Sequence, residues 1–357
     1  MAHAVVIGGG IAGVSAAAYL ARDMDVVLVE AESALAYHAT GRSAALYYPG
    51  YGHLSIHPLS YASGEFFENP GYADHPFLSP RGVLTLLFPG HESVALGEGA
   101  QRIDAHRVRE IVPAVNDTVE GGIWEPDSMD LDVAGVHQAY VRMLRSSGGT
   151  IRTSCRVTAI ERAGRWRLAV GNETFEADVV VNAAGAWADE IAAIAGVAKV
   201  GLIPKRRTAF TVAAPDGSEN WPLVHDSGSS FYFKPDGSQL MCSLADETPS
   251  EPCDARPREI DVVLAIDRIN TATGLGIRSV RSQWAGLRTF AADGGMVIGE
   301  DPSAEGFFWL AGQGGTGIQT APAAGQLLAE LVTTGSAPGS LIEAGLDLAA
   351  FSPARFR

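Results

Sequence analysis

The stretch that most restricts how this chain can fold is its first one. An apolar run, Ala4-Val5-Val6-Ile7, leads directly into Gly8-Gly9-Gly10-Ile11-Ala12-Gly13. An Ala-rich segment follows to Leu20, and Asp25-Val26-Val27-Leu28-Val29 ends on Glu30, twenty-two residues after Gly8. Strand, Gly-x-Gly-x-x-Gly, helix and a second strand closing on an acid are the parts of a dinucleotide-binding β-α-β unit. Gly8 permits the tight turn, Gly10 lets a pyrophosphate approach the backbone, and Gly13 lets the helix pack closely on the strand. Ile11 and Ala12 stand at the helix start, whose N–H groups have no carbonyl partner within the helix and face phosphate charge. Glu30, followed by Ala31, is placed to accept hydrogen bonds from the adenosine ribose hydroxyls. With 41 glycines in the chain, the glycine pattern alone is weak evidence against an ordinary Gly-rich turn; the flanking strand, helix and spaced acid supply the context the motif requires.

At 357 residues the chain is longer than a typical single domain, and two lobes are expected. A formal net charge of -15 argues against a nucleic-acid or anionic-membrane partner, while leaving room for a locally basic pocket. Cys155, Cys242 and Cys253 form no CxxC pair and read as reduced thiols, with no disulfide framework and no metal cluster. The spacing of His53 and His57 suits one helical face, but no HExxH-type acid accompanies it and Pro58 follows, so no metal site is expected. A fold that begins near Ala4, and the lack of an apolar run of about 20 residues, predict a soluble, cytoplasmic protein without an integral membrane segment.

Further along, 47–52 (Tyr-Tyr-Pro-Gly-Tyr-Gly) has neither a helical nor a strand period and reads as an aromatic loop. Residues 78–88 read as a strand, 91–111 as a polar helical stretch, 124–132 as turn-rich and 133–147 as a helix. Strands are expected over 150–160, 166–170 and 178–181. The region 204–285 reads as β-rich, with a hairpin turn at Lys234-Pro235-Asp236-Gly237. A last strand, 307–311, runs into Gly312-Gln313-Gly314-Gly315-Thr316-Gly317-Ile318 and a helix, so a second Gly-rich turn faces a helix start. The cofactor lobe is expected from both ends of the chain: 1–77, 145–203 and 286–357, with 78–144 and 204–285 forming a second, β-sheet-based substrate lobe.

These residues together resemble the D-amino-acid oxidase (DAO) family of FAD-dependent amine oxidoreductases. The matches are the opening glycine motif, Thr40-Gly41-Arg42-Ser43, Asn182 to Trp187, Trp284 to Arg288 and Gly312 to Ile318. Within the family the likeness runs toward bacterial FAD-dependent D-arginine dehydrogenases. The resemblance implies an α/β fold with a Rossmann-like FAD lobe of the GR2/DAO type and noncovalent FAD. It implies that Thr40, Gly41, Arg42, Ser43, Ala44, Ala184, Gly185 and Trp187 line the cofactor and that Val157 meets the adenine. Gly314, Gly315, Thr316, Gly317 and Ile318 would approach the isoalloxazine ring. Arg288 and Arg207 would bind a substrate carboxylate, with Arg206 as an alternative to Arg207; Tyr232 and Tyr51 would add hydroxyls, and the Gly315 carbonyl would orient the amine.

The activity this implies is oxidation of the Cα–N bond of a D-amino acid to the imino acid by hydride transfer to flavin N5, with oxygen or a quinone-like acceptor taking the electrons. Arginine-accepting relatives place a histidine and a glutamate where Leu46 and Val83 stand here, which predicts a neutral or apolar substrate side chain. Three alternatives stand beside this reading: oxidation of a secondary amine such as an N-methyl amino acid or proline, an NAD-dependent dehydrogenase, and a flavin-bearing electron-relay subunit. The second Gly-rich turn favours FAD over NAD.

Overall fold

The computed structural model describes residues 3–90, 96 and 99–357. Its first sheet grows outward from the opening turn. His3–Ile7 lies parallel between Asp25–Val29 and Val179–Asn182. Thr150–Arg152 extends one side in parallel; Phe307–Ala311 extends the other, and Val297–Glu300 closes that edge antiparallel. Parallel strands covered on both faces read as continuous apolar runs, and Val5-Val6-Ile7, Val26–Val29 and Val179–Val181 do so.

One face of this sheet carries the helices Ile11–Leu20, Val133–Ser146 and Gly317–Thr334, which bury Val14, Leu20, Tyr140, Leu144, Leu327 and Leu328. The opening and closing helices approach closely at Gly325, where an added methyl would lie 2.9 Å from Ser15 Cβ. The other face is covered by the antiparallel strands Val157–Ala163, Arg165–Val170 and Glu173–Ala177 and by the helix Ala188–Ile194, around Trp166, Leu168, Phe307 and Trp309.

The second sheet is mixed and, among the described residues, nine-stranded. Its order is Thr248–Pro249, Ile203–Ala213, Gln239–Ser243, Tyr232–Asp236, Leu223–Asp226, Val83–Leu87, Gly121–Glu125 and Gln101–Asp104, with Ser282–Phe290 also paired to Ile203–Ala213. Alternation along the strands splits its two faces. Leu84, Leu86, Phe210, Phe233 and Cys242 pack under the helices Ala105–Ile111 and Glu259–Ala272, whereas Val83 and Thr85 look the other way, into a cavity.

Several local expectations are corrected. Residues 91–95, 97 and 98 of the expected helix lie outside the described residues; Gln101–Asp104 is a strand, and helix begins at Ala105 because the Asp104 carboxylate caps it, accepting from Arg107 N–H at 2.8 Å. The turn-rich 124–132 contains the end of one strand, at Glu125, and another, Met129–Leu131, both held by pairing that short-range turn signals do not report. The β-rich 204–285 includes the 14-residue helix Glu259–Ala272. Leu46–Tyr47 is a strand paired to Met129–Leu131, so the aromatic loop begins only at Tyr48. The helix Val133–Ser146 buries its apolar face in the core of the opening helix, so the lobe boundary expected at 144/145 falls inside it.

Candidate active site

The opening turn is fixed mostly by backbone. Gly8 has φ +111°, where a side chain would also meet the Ala183 carbonyl at 2.4 Å, and a methyl at Gly13 would sit 1.8 Å from the Gly8 carbonyl oxygen. Gly9 is held from both sides: its N–H donates to Glu30 Oε2 at 2.6 Å, and its carbonyl accepts from Ala36 N–H at 3.1 Å and His137 Nε2 at 3.0 Å. The carbonyl can only accept, so His137 carries its proton on Nε2. Burial lowers the pKa of this imidazole, partly opposed by that hydrogen bond. Glu30 also accepts from Glu32 N–H at 2.8 Å. Gly10 caps the helix without a side chain, and Ile11 N–H is taken by Thr40 Oγ1 at 3.0 Å.

These groups border a cavity of about 490 Å³. Of the expected cofactor residues, Gly8, Gly10, Ile11, Ala12, Glu30, Ala31, Thr40, Arg42, Ser43, Ala44, Val157, Ala184, Gly185, Trp187, Gly314, Gly315, Gly317 and Ile318 line it. Gly13, Gly41 and Thr316 do not; they support the wall from behind. A methyl at Gly41 would lie 2.4 Å from the Ala36 carbonyl, and Thr316 hydrogen-bonds back to Gln313. Arg42 reaches the wall but its guanidinium is committed, donating to the Ala285 carbonyl at 2.8 Å, the Ala255 carbonyl at 3.1 Å and Asp254 at 2.5 Å. The cavity thus runs from one glycine turn and helix start to the other, neither capped by the side chain of its own N-cap residue. An elongated dinucleotide with a pyrophosphate fits such a cradle, since open helix starts favour negative charge.

A second cavity of about 730 Å³ adjoins the first; Ser43, Ala44, Arg207, Tyr232, Arg288 and Gly315 line both. Register brings the two arginines together. Arg207 pairs with Gly286 and Lys205 with Arg288, so both guanidinium-bearing chains stand on one face of the sheet, two residues apart, while Arg206 points to the other and lines neither cavity. Arg207 donates to the Asp246 carbonyl at 2.8 Å and to Glu247 at 3.2 Å; burial, and then the neighbouring Arg288, lowers its pKa. Arg288 has no hydrogen bond or ion pair among the described residues, and its guanidinium passes where a Gly315 side chain would stand, 2.8 Å from the ideal Cβ. Tyr232 is 9% exposed, Tyr51 is 46% exposed at the loop tip, and both line the second cavity, as do Leu46 and Val83.

Sequence reasoning missed Glu125, Thr85, His225, Tyr48 and Glu247, which line the second cavity too. Glu125 pairs in register with Val83, and His225 with Thr85 and Tyr232, so they meet only through long-range strand pairing. The Tyr48 hydroxyl donates to Glu125, whose pKa burial raises; burial likewise lowers that of His225. The one local hint was the run of aromatic hydroxyls at 47–51.

A family model described as FAD dependent oxidoreductase (DAO) matches residues 3–331. Glycine oxidase of Bacillus licheniformis is 25% identical, covering 95% of each chain. Mitochondrial sarcosine dehydrogenase of Mus musculus is 26% identical over 68% of this chain and 29% of its own length. Among solved structures, L-proline dehydrogenase from P. horikoshii superposes with a TM-score of 0.86 at 22% identity over 99% of this chain and 97% of its own, which shows the fold. None of these three is named for D-arginine. No helix among the described residues is long and apolar enough to cross a membrane.

Proposed function

The chain belongs to the DAO family of FAD-dependent oxidoreductases, and from that premise we propose that it oxidises the Cα–N bond of an amino acid or a closely related amine. When bound in the first cavity, FAD supplies the two-electron acceptor for this oxidation. The observation that carries the reading is Arg288: a guanidinium without an acid partner, beside a second positive charge, where the two cavities join. A substrate carboxylate is the planar, bidentate anion that matches it. Arg207, already committed to Asp246 and Glu247, adds charge more than hydrogen bonds. The hydroxyls of Tyr232 and Tyr51 complete the carboxylate site, and the Gly315 carbonyl orients the amine. No strong base is required, because the amine need only be neutral when its bond to carbon is oxidised; the imine is then hydrolysed in water.

The substrate we favour is a D-amino acid. Oxidation of a secondary amine is the second reading, favoured by relatives named for sarcosine and L-proline. The test is anaerobic loss of visible flavin absorbance across paired D- and L-amino acids and N-methyl amines, followed by turnover with a dye acceptor. Bleaching by D-amino acids is the expected result; bleaching only by N-methyl amines selects the second reading. Failure of every compound would leave the electron-relay alternative standing. FAD is held without a covalent link, so acid precipitation should release all the yellow colour; a yellow pellet would point to His38, Cys155 or Cys253, the residues of those types that line the cradle.

A further inference from the structure

The wall of the second cavity farthest from Arg288 is built to accept hydrogen bonds, and we propose that it binds a positively charged nitrogen at the end of the substrate's side chain. The inference rests on the carboxylate site proposed above. His225 Nδ1 lies 3.0 Å from the Asp226 carbonyl, which can only accept, so Nδ1 carries the proton of the neutral ring. His225 Nε2 is therefore an acceptor and takes the hydroxyl proton of Thr85, 2.9 Å away. This leaves Thr85 Oγ1 with lone pairs and no proton to offer. Next to it, Glu125 receives the Tyr48 hydroxyl on Oε1, and Oε2 has no partner among the described residues. Thr85 and Glu125 therefore both present acceptors to the cavity.

Charge selects a cation over a neutral donor. Glu125 is 8% exposed, and a buried carboxylate without a counter-charge is costly. The other ion-pairing groups nearby are engaged with one another, Glu247 and Asp130 each holding two cations. Glu247 pairs with Lys205 at 3.0 Å and Arg207 at 3.2 Å, and Lys234 pairs with Asp130 at 2.6 Å. Among the described residues Glu125 has no cation in ion-pair contact, and Arg288 has no acid. The strand of Glu125 lies three places across the sheet from that of Tyr232, a hydroxyl of the proposed carboxylate site, roughly 14 Å at about 4.8 Å per strand, and Arg288 lines the same cavity, which suits a long molecule held at both ends. A volume of about 730 Å³ is likewise that of a drug-sized site, far more than glycine fills. Leu46 and Val83 then flank the methylene stem, and the neutral or apolar preference expected from those two positions alone is replaced by this one.

The test is calorimetric binding to the FAD-loaded protein, using a ladder of ω-aminocarboxylates from 4-aminobutanoate to 8-aminooctanoate, each against the alkanoate with a methyl group in place of the ammonium. These ligands lack an α-amine, so the result does not depend on turnover. At the best length the ω-amino compound should bind at least tenfold more tightly than its partner. In Glu125→Gln, and to a lesser degree in Thr85→Val, that ratio should fall toward one; a structural defect would weaken both members of a pair alike and leave the ratio unchanged. Alkanoates binding as well as ω-amino compounds at every length, or a ratio that survives Glu125→Gln, would overturn the proposal. If neither series binds at all, while bleaching by amino acids succeeds, the far-wall proposal also falls. If the ladder behaves as expected but no amine bleaches the flavin, only the reaction assignment fails.

Discussion

The two cavities share a wall but are made of different material. Around the dinucleotide cradle the decisive groups are main chain: the Gly8 turn, the Gly9 N–H and carbonyl, and two helix starts whose N-cap residues offer no side-chain cap. Around the second cavity they are side chains delivered by separate strands: Arg207, Arg288, Tyr232, His225, Thr85 and Glu125. A backbone cradle needs glycines at fixed local spacing, whereas a side-chain cavity needs only the right strand register. The first should therefore be fragile to a single methyl and the second to the loss of a single charge.

The largest effect is expected where a methyl has nowhere to go. In Gly13→Ala the new carbon would sit 1.8 Å from the Gly8 carbonyl oxygen, and neither backbone can yield without moving the turn. Overpacking of this kind costs about 1–3 kcal/mol or more in stability. The variant should purify with little flavin and a melting temperature several degrees lower. Gly13→Ala protein with full FAD content would show that the cradle tolerates movement.

The complementary experiment spares the cradle. Arg288→Ala removes the charge proposed to meet the substrate carboxylate, and losing a partner of a buried charged pair costs on the order of 2–5 kcal/mol. The expected fall in kcat/KM is about 30-fold or more, with an unchanged flavin spectrum, and Arg288→Lys should recover part of it. An Arg288→Ala enzyme within a few-fold of wild type would remove Arg288 from the site.

What could be read from the sequence divides along the same line. Gly8 to Gly13, Glu30 and Gly312 to Ile318 are local patterns with local consequences, and the parallel sheet followed from them. Arg288 was readable through its family resemblance. Glu125 was not: it ends a strand in a stretch that looked like turns, and its partner, Val83, lies 42 residues earlier. Val83 lines the second cavity, and Glu125 stands beside it on the adjacent strand, since pairing across a sheet leaves no mark in either segment.

Arg42 joins the two regions and should show a smaller effect in both. It anchors the loop after Glu30 to the Ala285 carbonyl, on the strand that carries Arg288, and its own carbonyl accepts from Trp284 Nε1 at 3.1 Å. Arg42→Met leaves the carbonyls of Ala255 and Ala285 without this donor, at about 1–3 kcal/mol for each unsatisfied buried group. FAD affinity and kcat/KM should fall together, each roughly tenfold. If only one of them falls, the two regions are not coupled through this residue.

The smallest effect concerns His137, which donates to the Gly9 carbonyl from the far side of the turn. Losing one such hydrogen bond costs about 0.5–1.5 kcal/mol net, so His137→Phe should weaken FAD binding by about three- to tenfold at pH 8. The pH dependence follows from burial, which lowers the imidazole pKa in the folded protein. Above the ordinary imidazole value of about 6.5 both folded and unfolded chains hold His137 neutral, and it contributes nothing to pH dependence. Below that value the unfolded chain takes up a proton while the folded chain resists, so stability is lost as pH falls toward the lowered pKa. His225, with a pKa lowered in the same direction, adds a similar term in the other lobe, so replacing His137 should remove only part of the slope. His137→Gln keeps an N–H for Gly9 but does not titrate. Its melting temperature should therefore fall less steeply than that of the wild type as pH is lowered from about 6.5, and equal slopes would mean that His137 is protonated in the folded protein as readily as in the unfolded chain.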